Sequence, residues 1–258
     1  MEKWLSMWSI GPDVNEETWK RIKAAGFVGI EVWGEHDNIF ETVSKANTIG
    51  LKTGCHLPFS DLNLADDNDE KADKAVGMLT QLLEKLGTFG CEHAVLHGGK
   101  DSGKRDWNVV LDKMAARLSK LQKTAAAAQV TLLLENLIPE ADQRVVASNF
   151  ADWQYLLGKT GLHACLDVGH LRIAGGNLKS ALAQLGERLY AVHYSENDGV
   201  SDLHLMAEKD TSYLRELLAM LRKIQYSGTF TFEVHPSHYT WKDILNVASE
   251  VQQHEEED

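Results

Sequence analysis

The sequence is short of cysteine, of basic residues and of long apolar runs, and each shortage removes a class of protein. Its three cysteines, Cys55, Cys91 and Cys165, lie far apart with no Cys-x-x-Cys spacing, so neither a disulfide framework nor a zinc knuckle is indicated. A reducing cytoplasm is the simplest setting for them. Lys and Arg number 26 against 38 Asp and Glu, a net charge of −12, which opposes a surface that holds nucleic acid by counterion release. No apolar stretch approaches the ~20 residues of a membrane span. The opening residues, MEKWLSMWSIGPD, carry too short an apolar stretch for a signal peptide. What remains is ordinary for a globular chain of 258 residues, with 43% hydrophobic and 25% charged residues, enough to bury a large core.

Short β-rich runs alternate with longer amphipathic segments along nearly the whole chain, the pattern of parallel strands joined by helices. Strands are expected near residues 5–10, 28–33, 52–57, 93–97, 131–135, 164–167, 190–194 and 229–234, and runs such as VTLLLE and TFTFEV suit strands covered on both faces. Helices are expected near residues 16–25, 39–49, 68–88, 107–128, 148–159, 177–185, 212–225 and 241–254. Within 107–128, Val109, Leu111, Met114, Leu118 and Leu121 form the expected apolar face. Gly26, Gly50, Gly90, Gly161 and Gly228 stand where left-handed caps are expected between helix and strand. No Pro/Ser linker interrupts the chain. Eight β/α units in this length predict a single (β/α)8 TIM barrel, of class α/β, over residues 1–258. An open doubly wound sheet is the rival, but the first turn, SIGPDVNEE, lacks its Gly-rich phosphate loop.

In a barrel, the carboxyl ends of the strands converge on the rim that carries the active site. Those ends supply His56, His97, Glu135, Asp167, His170, His193 and Glu233, and the loop after the seventh strand adds Asp202 and His204. Nine potential ligands of imidazole and carboxylate type, with no thiolate, suit zinc, manganese or iron better than calcium. Carboxylates able to bridge ions make one to three metals feasible. Each residue taken singly is as readily a satisfied polar group; the clustering at one rim sets the group apart from the scattered His36, His93, His163, His238 and His254. His235 shares the strand face of Glu233 by the period of two and is a candidate substrate contact. Trp8, Trp33 and Phe59 are candidates for an aromatic wall beside a small polyol, and Glu31 for the same face as Trp33.

The segments LLLEN, LDVGH, VHYSEND with DLHL, and FEVHP, in that order, resemble the xylose isomerase-like TIM-barrel superfamily of sugar isomerases, sugar epimerases and endonuclease IV. The resemblance spans nearly the whole chain. For the sugar enzymes it implies one divalent metal, zinc, manganese, iron or magnesium, held by Glu135, Asp167, His193 and Glu233, with His170 on the substrate. It further implies that Glu135 and Glu233 remove and return a proton beside a metal-bound carbonyl. For endonuclease IV it implies a trinuclear site that adds His56, His97, His170, Asp202 and His204, with Phe59 where that family has tyrosine and Gly98 where it has proline. Ketose 3-epimerases of the superfamily carry an arginine soon after the seventh-strand histidine, and SENDGVSD has none.

Charge separates these implications. Asp61, Asp66, Asp67, Asp69 and Glu70, with Asp13, Glu16, Glu17, Glu35 and Asp37, form an acidic rim, against which stand Lys100, Lys104, Arg105, Arg144 and Arg172. Such a rim repels a polyanion. Lys100 remains a candidate substrate contact. The expectation is a metal-dependent isomerase or epimerase of a sugar, sugar phosphate or polyol. Its partner is the small-molecule substrate, with no membrane or nucleic acid and a homo-oligomer left open. A phosphodiesterase acting at abasic DNA sites is the alternative, and a non-catalytic sugar- or metal-binding barrel the third reading.

Overall fold

A computed structural model describes residues 1–11, 13–206 and 212–246. The strands are β1 (Glu2–Ser6), β2 (Gly29–Trp33), β3 (Lys52–His56), β4 (His93–Leu96), β5 (Lys100–Asp101), β6 (Thr131–Glu135), β7 (Arg144–Val145), β8 (His163–Asp167), β9 (Leu189–Tyr194) and β10 (Thr229–Phe232). Eight of them close into a parallel barrel in the order β1-β10-β9-β8-β6-β4-β3-β2. The open doubly wound sheet is thereby excluded. β5 and β7 instead pair antiparallel as a two-stranded ribbon over one side of the barrel mouth.

The helices are α1 (Glu16–Ala24), α2 (Ile39–Thr48), α3 (Asp69–Thr88), α4 (Trp107–Ala127), α5 (Phe150–Thr160), α6 (Val168–Ile173), α7 (Leu178–Leu185) and α8 (Ser212–Lys223). Residues 241–246 are also helical; the rest of the helix expected over 241–254 lies outside the described residues. Several helices start at a side-chain cap: Asn15, Asn68, Asp106, Asn149 and Asn177 each accept backbone N–H groups of the first turn, satisfying donors that have no partner inside the helix. Among the described residues no helix is long and apolar enough to cross a membrane.

Three local expectations are corrected. The first strand is Glu2–Ser6 and not 5–10, because residues 2–5 pair with Thr229–Phe232 of β10; Met7–Ile10 are a turn, so Trp8 sits above the strand. The buried face of α4 is Val110, Leu111, Met114, Leu118, Leu121 and Ala125, whereas Val109 is 49% exposed. A step of two, Val109 to Leu111, turns a helix too far for both to share a face. Gly228 is not left-handed; Gln225 takes that conformation after α8 (φ 56°). Gly228 is small for another reason, since a Cβ there would lie 2.2 Å from the Tyr190 carbonyl oxygen.

The outer core between helices and sheet is aliphatic. Trp153 of α5 is fully buried and donates from Nε1 to the Leu134 carbonyl at 3.0 Å. Inside the barrel, Val95, Leu133, Cys165 and Ala191 form a small apolar plug. The period of two along each strand lifts Glu135, Asp167 and His193 one layer above that plug.

Candidate metal and substrate site

The carboxyl ends of the strands surround a cavity of about 340 Å³ lined by Trp8, Trp33, His56, Phe59, His97, Lys100, Glu135, Leu137, Ile138, Glu140, Val145, His170, Asp202, His204 and Glu233. Asp167 and His193 lie just beneath, both buried. The structure brings all nine sequence-predicted ligands together in overlapping groups. One is His56, His97 and Glu135; a second is Glu135, Asp167 and His170; a third is His170, Asp202 and His204. His193 joins Glu31 with Glu233, and Glu135 with Cys165.

Local structure fixes each ligand. The Asp167 Oδ1 caps α6 by accepting the His170 N–H at 2.6 Å, which sets both side chains one helical turn apart. Asn136, quoted in the sequence only as part of a motif, clasps Asp167: its amide donates to the Asp167 carbonyl (2.9 Å) and accepts the Asp167 N–H (2.8 Å). The Asn136 carbonyl lies 2.9 Å from His170 Nδ1. Leu57 and Glu233 offer carbonyls at 3.0 Å to the Nδ1 atoms of His56 and His204, and those bonds turn the opposite nitrogens inward. Ser6, at the end of β1, donates to Glu233 Oε1 at 3.2 Å; nothing in its sequence context marks it.

At the edge of the cluster His170 Nε2 meets Asp202 Oδ2 at 3.3 Å, while around Glu135 and His193 the donor atoms converge at contact distance. Glu135 Oε2 stands 3.3 Å from Nε2 of both His56 and His97, and His193 Nδ1 stands 3.3 Å from Glu233 Oε2 and 3.8 Å from Glu135 Oε1. Glu135 Oε2, Asp167 Oδ2 and His193 Nδ1 are all buried without a hydrogen-bond partner among the described residues. Orphaned acceptors gathered at one centre fit a cation held there, and mixed imidazole and carboxylate donors fit a divalent transition metal. Cys165 lies in reach of the same centre, but burial pushes its thiol pKa up, so it stays neutral and soft-metal chemistry is not favoured.

Electrostatics agree. Burial penalises the Glu135 carboxylate, yet His193, His97 and His170 outweigh that penalty and hold its pKa well below the usual range. Glu233 is likewise lowered, burial being outweighed by His193, His204 and His56. At Asp167 burial wins and the pKa rises, while burial lowers that of His97. His204 is pushed up to about 9, against burial, by its bond to Asp202 and the charges of Glu233 and Asp202. The centre draws in protons where it has no other cation.

The aromatic candidates form one wall. Trp33 packs on His56 (ring centroids 4.7 Å), Phe59 stacks on His97 (4.2 Å) and Trp8 meets His204 edge-on (4.9 Å). His235 does not line the cavity; it stands behind Trp8, edge-on at 5.3 Å. The opposite wall, Leu137 and Ile138 after β6 with Val145 of β7, was not foreseen, because such short segments carry no periodic signal. Lys100 reaches the mouth with its ammonium 2.6 Å from Glu140. Three further rim cations are also engaged: Arg105 and Arg144 on Asp101, and Arg172 near Glu196. Glu31 is fully buried beneath the cavity, against His93 and His193.

Fold and site together define a (β/α)8 barrel with a buried imidazole and carboxylate centre at the carboxyl rim. The chain belongs to the xylose isomerase-like TIM-barrel family, which it matches over residues 19–251. It is 22% identical over 233 residues to fructoselysine 3-epimerase of Escherichia coli O157:H7, covering 85% of each chain. It is 25% identical over 191 residues to the uncharacterized protein MJ1311 of Methanocaldococcus jannaschii, covering 69% of this chain and 62% of that protein's length. In structure it resembles a D-tagatose 3-epimerase-like protein, with a TM-score of 0.84, 21% identity and coverage of 99% of this chain and 97% of the other.

Proposed function

We propose that the protein is a divalent-metal-dependent sugar isomerase or epimerase that moves a proton beside a substrate carbonyl. The observation that carries this reading is the pair of buried carboxylates, Glu135 and Glu233, on either side of His193 Nδ1 at the floor of a small cavity. Its kinship with proteins named as sugar 3-epimerases supports the substrate class. Glu135, Asp167, His193 and Glu233 would hold the principal cation, with His56, His97, His170, Asp202 and His204 able to hold others. A bound divalent cation supplies Lewis acidity, which withdraws electrons from a carbonyl and acidifies the adjacent C–H. One of Glu135 and Glu233, as the carboxylate, would accept the C–H proton, and the other, carrying a proton taken up from solvent, would deliver it to the opposite face, after which the two re-equilibrate with solvent. Return to the same carbon from the other side inverts it, and return to the adjacent carbon isomerises the sugar. His170 and Lys100 offer polar contacts to hydroxyls, while Trp8, Trp33 and Phe59 shield the reacting carbons from water.

The test is metal analysis of the purified protein, followed by a screen of ketoses, aldoses and cyclic polyol ketones in D₂O with Mn²⁺ or Zn²⁺ supplied. Deuterium entering at a carbon beside the carbonyl is the expected result. No retained metal and no exchange with any substrate would overturn the reading. One observation favours a phosphodiesterase instead: the His56, His97, Glu135 and His170, Asp202, His204 groups flank the central ligands as a multinuclear site requires. Against it, Lys100, Arg105 and Arg144 already face carboxylates. Cleavage of an abasic-site duplex, lost in Glu135→Gln, would promote that alternative.

A further inference from the structure

Glu31 is a fully buried carboxylate. A lone ion of this kind is costly unless donors surround it. Its donors are two fully buried imidazoles: His93 Nε2 lies 3.1 Å from Oε2, and His193 Nε2 lies 3.2 Å from Oε1 and 3.3 Å from Oε2.

The sheet register builds this bridge. Glu31 of β2 is level with Gly54 of β3, and Gly54 is level with His93 of β4. A Cβ at position 54 would lie 2.3 Å from the His93 ring, so only glycine lets the ring reach over β3 to Glu31. Trp4 and Tyr190 pack on the ring at 4.8 and 5.7 Å, and its other nitrogen has no hydrogen-bond partner among the described residues. His93 is thus held by packing and aimed at Glu31.

The consequence falls on His193. A carboxylate at Nε2 favours the proton there, which leaves Nδ1 as an acceptor. That atom is the orphan between Glu135 and Glu233. We propose that Glu31, buttressed by His93 across Gly54, is a positioning residue that fixes the tautomer and ring orientation of His193 so that Nδ1 faces the cation centre. The inference rests on the cation-dependent reading above and adds two residues to it. Neither touches substrate: Glu31 and His93 lie below the cavity, outside its lining.

The experiment uses the full chain freed of metal, as the unaltered protein and as Glu31→Gln, His93→Leu and His93→Gln. ¹⁵N-histidine NMR, recorded at a pH high enough that His193 is a neutral imidazole, reads its tautomer, calorimetric titration with Mn²⁺ or Zn²⁺ alone reads cation affinity, and thermal melting checks folding. His193 protonated on Nε2 is expected in the unaltered protein. Glu31→Gln, whose amide can face His193 with either a donor or an acceptor, is expected to mix the tautomers and weaken cation binding by about 10–100-fold. His93→Leu should shift both readouts in the same direction, and His93→Gln, which restores a donor to Glu31, should recover most of the loss. If Glu31→Gln fails to fold, the two His93 variants decide. Unchanged tautomer and affinity in the folded variants, or a proton on Nδ1 in the unaltered protein, would overturn the proposal. If the unaltered protein takes up neither cation, the cation reading falls, while the tautomer measurement still judges Glu31.

Discussion

Glu233 receives a hydrogen bond from Ser6 and faces His193, so its carboxylate is oriented before substrate arrives. Replacing it with Gln keeps the shape and removes the proton acceptor. Turnover of the sugar substrate is expected to fall by about 10²–10⁴-fold, read as the initial rate of deuterium entry from solvent; an unchanged rate would remove Glu233 from the proton-transfer pair. Phe59 acts differently, since it touches the ring of His97 rather than the carboxylates. Phe59→Ala should leave metal content unchanged and weaken substrate binding by about tenfold, the loss of roughly one aromatic contact, read as a KM increase larger than any fall in kcat.

At the scale of elements, the ribbon β5–β7 owes its position to one buried carboxylate. Asp101 accepts from Arg105, Arg144 and the Gly103 N–H. Burial would raise its pKa, but Arg144 and Arg105 outweigh that and hold it at about 2, against an ordinary 3.8. A lowered folded-state pKa contributes stability that is full above 3.8 and is lost as the pH falls from there through about 2. Hydrogen exchange in residues 98–105 and 143–148 should therefore accelerate over that window. Asp101→Asn should abolish the pH step and cost about 2 kcal/mol, the range of a charge-assisted hydrogen bond. Helix α5 gives a contrasting case: Trp153→Ala removes a fully buried ring and its bond to Leu134, with an expected loss of about 3–5 kcal/mol in urea unfolding.

For the whole molecule, the central cluster gathers ionised carboxylates in a buried place, and any cation that binds only the folded chain stabilises it by mass action. At a free concentration 100 times its Kd the gain is about 2.7 kcal/mol. In a chain of this size that is roughly 5–10 °C in Tm. Adding Mn²⁺ or Zn²⁺ to the stripped protein should raise Tm by this amount and EDTA should reverse it. A flat response across millimolar concentrations would count against the cation centre.

The eight-fold alternation of strand and helix was legible because hydrophobic periodicity is a local property, and the sequence by itself determined that nine imidazole and carboxylate residues stand at strand ends or just past them. Motif order sufficed to indicate the family. Tertiary structure decided the rest. The first strand lay earlier than its apolar run suggests because pairing with β10, not hydrophobicity, sets its register. Ser6, Asn136 and the apolar wall of Leu137, Ile138 and Val145 were hidden, since their roles depend on partners far away in the chain or on short segments without a period. Glu31 and His93 are the clearest instance: 62 residues apart, they meet because barrel closure and a glycine between them bring two neighbouring registers into contact, and a linear pattern does not encode that distance.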